Sequence, residues 1–293
     1  MHGQRVPRPA VLIDLPHDID AQVAAALRED AAGGDVTAAL VPAGQRVQAT
    51  VLARESAVLC GAPWFDRVFH ALDPSIRIEW SAAEGERIAA GTVVCHIAGR
   101  ARAILTGERT ALNFLQTLSG TATEARRYVD AVAGTGCTIL DTRKTIPGLR
   151  LAQKYAVRCG GASNHRLGLH DRVLIKENHI AAAGSIAAAV AAARRLSPGV
   201  PVEVEVEDLA EFDAALAARP EVIMLDEFTP ADMRSAVARN HAAGRPVKIE
   251  ASGSVTLDSI RHVAATGVDY ISVGAITKHV RALDLSLRIT EAS

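Results

Sequence analysis

Residues 202–254 read VEVEVEDLAEFDAALAARPEVIMLDEFTPADMRSAVARNHAAGRPVKIEASGS. Three short β-branched runs, 202–204, 222–225 and 247–249, alternate here with Ala-rich stretches of helical period, 209–217 and 230–241. Short, near-continuously apolar runs separated by helices are the mark of a parallel sheet covered on both faces. The rhythm continues outward on both sides, with runs at 138–140, 173–175 and 270–273 and a helical pattern at 257–265. Parallel crossovers are right-handed, so six in succession curl a sheet toward a barrel. The expected fold class is α/β, with this part an incomplete barrel.

What ends each run carries the chemistry. The first ends Leu140-Asp141-Thr142-Arg143-Lys144 and the second Ile175-Lys176-Glu177-Asn178-His179. Then follow Val204-Glu205, Leu225-Asp226-Glu227, Ile249-Glu250-Ala251-Ser252-Gly253-Ser254 and Val273-Gly274-Ala275. The C-terminal ends of parallel barrel strands are where active sites are built. A single charged residue after a strand is ordinary loop polarity, but six in register point to a site.

Three chemistries separate. The turns Ser252-Gly253-Ser254 and Gly274-Ala275 are small, precede helical starts and can offer backbone N–H groups to a phosphate. Glu205 and Asp226 end neighbouring strands. They suit an acid/base couple, salt-bridge partners for nearby bases, or a hard cation such as Mg²⁺ shared with a polyphosphate. Arg143, Lys144, His165, Arg166 and Lys176, with Arg109 on the preceding helix, form a cationic set. Together they hold more like charge than a fold requires, so an anion is the natural counterpart. Arg binds planar carboxylates in a fork, and Lys meets phosphates as a point charge.

The flanks differ from this core. Residues 18–32 form an amphipathic helix with Asp18 as a plausible N-cap and Gly33-Gly34 as its stop. Residues 47–53 and 76–80 read as strands, and 84–97 as a turn between strands. That turn is similar to those of swivelling β-domains that carry lipoyl or biotin groups, but no lysine sits in it. Two helices are expected at 106–118 and 121–133, split at Ser119-Gly120. In the tail, Leu283, Leu285, Leu287 and Ile289 alternate with Asp284, Ser286 and Arg288, the period of a strand with one buried face. A lone strand needs partners, so it is expected to return to the N-terminal sheet. The expected domains are 1–118 joined by strand 280–293, and 119–279.

Composition narrows the function classes. The chain has 293 residues, 49% hydrophobic and 22% charged, with only 3% aromatic, so its core must be mostly aliphatic. A net charge of −1 argues against a general nucleic-acid binder. Yet residues 100–178 hold thirteen Lys and Arg against six Asp and Glu, while the rest holds nineteen against twenty-seven. That local excess fits a site for small anions. Cys60, Cys95, Cys137 and Cys159 make no Cys-x-x-Cys pair and read as buried free thiols of a reducing compartment, the cytoplasm. Residues 1–9 are polar and basic, unlike a signal peptide. No apolar run is long enough to span a membrane, and the Ala-rich stretch 180–193 reads as a helix packed on the sheet.

At its strand ends the chain resembles quinolinate phosphoribosyltransferase, the carboxylating nicotinate-nucleotide pyrophosphorylase. The motifs are 141–150 (DTRKTIPGLR), 160–169 (GGASNHRLGL), 174–180 (LIKENHI), 203–207 (EVEVE), 223–226 (IMLD), 250–253 (EASG) and 266–274 (TGVDYISVG). Small departures are Ala162 and Ser254 where Gly is usual and Glu227 where Asn is common. The resemblance implies a type II phosphoribosyltransferase architecture, an N-terminal α+β sandwich domain plus an incomplete TIM-like α/β barrel. It implies transfer from phosphoribosyl pyrophosphate to quinolinate, giving nicotinate mononucleotide, pyrophosphate and CO₂, with Mg²⁺. Arg109, Arg143, His165 and Arg166 would then bind the quinolinate carboxylates. Lys144 and Lys176 would neutralise pyrophosphate, with Thr142 beside them. Glu205 and Asp226 would hold the ribose hydroxyls and Mg²⁺, and Ser252, Gly253, Ser254 and Gly274 would seat the 5′-phosphate. Arg109 would reach the partner's site in a homodimer. Two rival readings are a related enzyme for a monocarboxylate such as nicotinate, and a non-catalytic binding protein on the same fold. The size of the cationic set favours a dicarboxylate, and the acidic pair favours catalysis.

Overall fold

The computed structural model describes residues 14–292, so the polar stretch 1–9 lies outside the described residues. In chain order the elements are α1 (Ile19–Ala31), β1 (Arg46–Ala53), β2 (Ala57–Val58), α2 (Ala62–Leu72), β3 (Arg77–Trp80), β4 (Arg87–Ile88), β5 (Val93–Arg100), α3 (Ala101–Ala131) and β6 (Thr138–Leu140). There follow α4 (Arg150–Cys159), β7 (Val173–Ile175), α5 (Glu177–Ala183), α6 (Ile186–Leu196), β8 (Val202–Val206), α7 (Leu209–Ala218) and β9 (Val222–Asp226). The last are α8 (Pro230–Ala242), β10 (Lys248–Ser252), α9 (Ile260–Ala264), β11 (Tyr270–Ser272), α10 (Ala275–Lys278) and β12 (Leu285–Ala292). Two compact units result. The first takes the described residues up to Arg126, then 146–161 and the chain from 279 onward; the second takes 127–145 and 162–278.

The first unit is built on an antiparallel sheet of order β12-β1-β5-β3. The tail strand pairs with β1, setting Leu285 opposite Ala53 and Leu287 opposite Val51. Its apolar alternation is only half used: Leu285 is buried, but Ile289 near the end is exposed. The few aromatics concentrate here. Trp64, Phe65, Val68 and Phe69 recur at helical spacing and bury one face of α2, and Phe65 meets Phe69 and Trp80 edge-on at 5.0 and 5.3 Å. Helix α4 buries Ala152, Tyr155, Ala156 and Cys159 in this same core, although its residues fall within the span assigned to the barrel from sequence.

The expected break at Ser119-Gly120 does not occur, and α3 runs unbroken from Ala101 to Ala131. Both residues serve packing instead. Ser119 Oγ accepts the Cys60 N–H at 2.9 Å and donates to the Cys60 carbonyl at 3.0 Å. Gly120 lets the Arg281 carbonyl press against the helix, where a Cβ would overlap it. Gly120→Val should therefore destabilise by about 2–3 kcal/mol through overpacking, lowering the melting temperature by roughly 5–8 °C in a thermal scan.

The second unit holds a six-stranded parallel sheet of order β6-β11-β10-β9-β8-β7. Its end strands β6 and β7 do not pair with each other, which makes an incomplete barrel. The Ala-rich stretch expected as one helix is two, because Gly184 takes a left-handed φ of 86° and ends α5. Ser185 then caps α6 by accepting the Ala188 N–H. The four cysteines are free; three are buried, and Cys137 is half-buried rather than fully so. Among the described residues no helix is long and apolar enough to cross a membrane.

Candidate active site

All six strands of the second unit point the same way, so their C-terminal ends share one rim. Register sets Glu205, Met224, Glu250 and Tyr270 side by side on β8, β9, β10 and β11. Asp226 and Ser252 pair at the C-terminal ends of β9 and β10. The Val-Glu-Val-Glu-Val of β8 buries Val202, Val204 and Val206 on one face and turns Glu203 and Glu205 to the other.

Lys144 follows β6 and lies over the turn after β11. A Cβ at Gly274 would meet Lys144 Cδ at 3.0 Å and Thr142 Oγ1 at 3.5 Å, so glycine makes room for both side chains. Thr142 Oγ1 accepts the Lys144 N–H at 3.1 Å, and Thr277 Oγ1 donates to the Lys144 carbonyl at 2.8 Å. The backbone is thus fixed while Lys144 stays exposed.

Lys176 follows β7 and reaches the end of β8, donating to both Glu205 oxygens at 2.8 and 2.6 Å. Asp226 stands half-buried one strand further along. Glu205 and Asp226 offer only oxygen donors, and no Cys or His among the described residues joins them in a group of potential metal ligands. Such a pair suits a hard cation that keeps water or phosphate oxygens as its other ligands.

Beside Asp226, the turn after β10 is shaped by Gly253 at φ 126°. Glu227 itself takes a left-handed φ of 52°. Its carboxylate accepts the Ser254 hydroxyl at 2.9 Å, and a Cβ on Gly253 would fall 2.7 Å from its carboxyl carbon. The departures Glu227 and Ser254 therefore touch each other, and a negative charge rests on the turn expected to seat phosphate.

The Asn164-His165-Arg166 loop is pinned from below by buried acids. Asp141 accepts Asn164 Nδ2 and the His165 N–H, both at 2.8 Å. Glu203 meets His165 Nε2 at 3.0 Å and Arg172 at 2.9 Å. Burial works against the charged form of Glu203, but His165 and Arg172 outweigh it and hold the carboxyl below its usual range. Glu250, also buried, is pushed well above that range by burial first and then by the charge of Glu203. On the loop, burial and the neighbouring Arg143 guanidinium lower Arg166 from the ordinary arginine value. Two guanidinium groups held against their mutual repulsion mark a place for an anion.

Arg109 belongs to α3 and not to the parallel-sheet unit. It is exposed on α3 in the first unit, where it lines a cavity of about 440 Å³ with Gln22, Glu29, Asp30 and Asn113. The acids Asp141, Glu203 and Glu250 and the base Arg172 were not singled out as site residues from sequence. The available signal was the period-two repeat of β8, which sets Glu203 on the same face as Glu205.

Family models match both parts of the chain: quinolinate phosphoribosyl transferase N-terminal domain over residues 35–119 and C-terminal domain over 121–288. A probable nicotinate-nucleotide pyrophosphorylase (carboxylating) from Synechocystis is 44% identical over 287 residues, 97% of each chain. The nicotinate-nucleotide pyrophosphorylase (carboxylating) of Mycobacterium leprae is 45% identical over 268 residues, 89% of this chain and 94% of that one. The solved nicotinate-nucleotide pyrophosphorylase of Francisella tularensis superposes with a TM-score of 0.89 at 46% identity, covering 94% of this chain and 98% of its own. With paired cations, an acidic couple and small turns on one rim, and with both domain models matched in order, the chain belongs to the quinolinate phosphoribosyltransferase family.

Proposed function

We propose that this protein transfers the phosphoribosyl group of phosphoribosyl pyrophosphate to quinolinate with decarboxylation. The products are nicotinate mononucleotide, pyrophosphate and CO₂, a step of NAD synthesis. Membership of the family supports the reaction. The observation that supports the site is the run of cations along one rim of the parallel sheet: Arg143 and Lys144 after β6, His165 and Arg166 on the loop pinned by Asp141 and Glu203, and Lys176 after β7. A pyridine with two adjacent carboxylates is a fitting counterpart.

The remaining roles follow from charge. Pyrophosphate leaves the ribose through a transition state with positive charge on the sugar and growing negative charge on the leaving group. Glu205 and Asp226 face the sugar and steady its positive charge. Lys144 and Lys176 face the leaving group, with Thr142 fixing the Lys144 backbone. Ser252, Gly253, Ser254 and Gly274 seat the 5′-phosphate. Mg²⁺, held through Glu205 and Asp226, would neutralise pyrophosphate oxygens. Once the ring nitrogen carries the ribosyl group it is cationic, and the ring can accept the electron pair left when the adjacent carboxylate departs as CO₂. The working assembly is a homodimer in which Arg109 enters the partner's site. Four free thiols and the absence of a nucleic-acid-like charge balance suit a cytoplasmic enzyme of small molecules.

The direct test mixes protein, Mg²⁺ and phosphoribosyl pyrophosphate with either quinolinate or nicotinate. Mononucleotide and CO₂ should appear together with quinolinate only. Mononucleotide from nicotinate without CO₂ would replace this reading by its monocarboxylate rival.

The position of Glu227 adds a specific expectation. Its carboxylate lies on the turn that receives a phosphate, so it opposes that charge. Glu227→Gln keeps the hydrogen-bonding shape and should lower the KM for phosphoribosyl pyrophosphate by about twofold to fivefold, the scale of an exposed charge pair. An unchanged or higher KM in steady-state kinetics would show that the carboxylate supports the turn rather than opposing its ligand.

A further inference from the structure

Away from the parallel sheet, the first unit gathers two thiols and a carboxylate. Cys60 lies between β2 and α2, Glu84 in the turn between β3 and β4, and Cys159 at the end of α4. All three belong to that unit. Their ligand atoms, the two Sγ and a carboxylate oxygen, lie within 4.8 Å of one another. Both cysteines are buried, whereas Glu84 is half-buried, so the group meets solvent on the glutamate side.

Each member is held from outside the group. Glu84 Oε1 accepts the N–H groups of Gly61 and Ala62, at 2.9 and 2.8 Å, where α2 begins. Its Oε2 is thereby turned toward Cys159 Sγ, 3.7 Å away. The Tyr155 hydroxyl also hydrogen-bonds to Glu84, and its ring packs on Trp64 with centroids 5.4 Å apart. Ser119 grips the Cys60 backbone through both its N–H and its carbonyl. Gly85, at φ 77°, lets its turn close on the end of α4, where a Cβ would come within 3.1 Å of the Cys159 carbonyl. Such outer contacts are what orient the ligands of a metal.

The donor types choose the ion. Two sulfurs with one carboxylate oxygen suit Zn²⁺, whereas Mg²⁺ and Ca²⁺ take oxygen alone. Zn–S bonds of about 2.3 Å and Zn–O bonds of about 2.1 Å, at tetrahedral angles, set ligand atoms about 3.6–3.8 Å apart. Glu84 and Cys159 already stand at 3.7 Å, and no pair in the group exceeds 4.8 Å. The ion would replace the two thiol protons, and the peptide dipoles at the start of α2 offset the negative charge left over.

We infer that Cys60, Glu84 and Cys159 form a Zn²⁺ site with water in its fourth position. It fastens the end of α4 to the turn at Gly85 and to the start of α2. Residues 146–161 lie between β6 and β7 in the chain yet pack in the first unit, and the metal bonds hold that excursion in place. The inference is independent of the reaction and of Mg²⁺ at Glu205 and Asp226.

The experiment uses the full chain with its thiols reduced, stripped by a chelator and titrated with Co²⁺, which occupies zinc sites and reports its ligands by colour. One Co²⁺ per chain should bind with a thiolate-to-cobalt charge-transfer band in the near ultraviolet and the intense visible bands of a tetrahedral ion. Zn²⁺ should erase both. A site of oxygen donors, such as Glu205 with Asp226, gives neither. Cys159→Ser should weaken Co²⁺ binding by about 100-fold or more, beyond the cost of losing a merely supporting group, while Cys137→Ser keeps the wild-type spectrum. Saturating Zn²⁺ should raise the wild-type melting temperature by about 5 °C or more, and that of Cys159→Ser by much less. A wild-type spectrum without the thiolate band would overturn the inference, and it decides the matter even where a variant fails to fold. So would a band that survives unchanged in both Cys60→Ser and Cys159→Ser.

Discussion

Lys144→Ala should lower turnover by on the order of 100-fold or more, the usual cost of removing a fixed charge that faces a charge growing in the transition state. The ammonium is exposed, while its backbone is tied to Thr142 and Thr277 and its stem lies over Gly274. Little reorganisation is therefore needed as the pyrophosphate bond stretches. An interaction that strengthens along the reaction appears in kcat more than in KM. Because the side chain is exposed, the variant should melt at the wild-type temperature. Asp226→Ala should lose a comparable factor for the opposite reason, removal of the negative charge beside the ribose. A Lys144→Ala enzyme with normal kcat and a raised KM for phosphoribosyl pyrophosphate would confine the lysine to ground-state binding.

The second large effect concerns Arg109. Arg109→Ala and Lys176→Ala chains should each be nearly inactive alone. Mixed and allowed to exchange, half of the dimers become hybrids. In each hybrid one site combines an intact Lys176 with an intact Arg109 from the other chain, and the second site lacks both. Activity should recover to about one quarter of wild type, as two-fold symmetry requires. Fully exchanged dimers, confirmed by mass, that show no recovery would place Arg109 outside a shared site. The position of Arg109 suits the test: it is exposed on α3 in the first unit, whereas Lys176 follows β7 in the second.

Sequence was most informative where one pattern admits one structure. The runs at 138–140 and 173–175 match β6 and β7 residue for residue. Three others differ from their strands by one or two positions at the C-terminal end, and the run 247–249 starts one residue before β10 and stops three short of its end. Their order could be read because parallel strands buried on both faces show little but β-branched residues, and their C-terminal ends show chemistry. Glycine misled where it has two uses. Gly120 looks like a helix stop, but it is a contact point for the Arg281 carbonyl; Gly184 is the real stop and was lost in an alanine run. The acids beneath His165 were harder still. Val-Glu-Val-Glu-Val reads alike whether its glutamates face water or an interior held by Arg172, and only the strand register separates the two. Glu227 looked like a change of detail until its carboxylate was found on the turn beside Gly253.

The tail strand β12 has a consequence for biosynthesis. Residues 285–292 form the outer edge of the sheet that begins with β1, some 240 positions earlier in the chain. A ribosome thus releases every strand of the catalytic sheet while the amino-terminal sheet still lacks one border. During that interval the free side of β1 is an unpaired template, the kind of edge that invites pairing with a neighbouring nascent chain. Deleting the codons for residues 285–292 would make that temporary state permanent. Such a product should accumulate as aggregate even though no residue of the phosphoribosyl site has been removed.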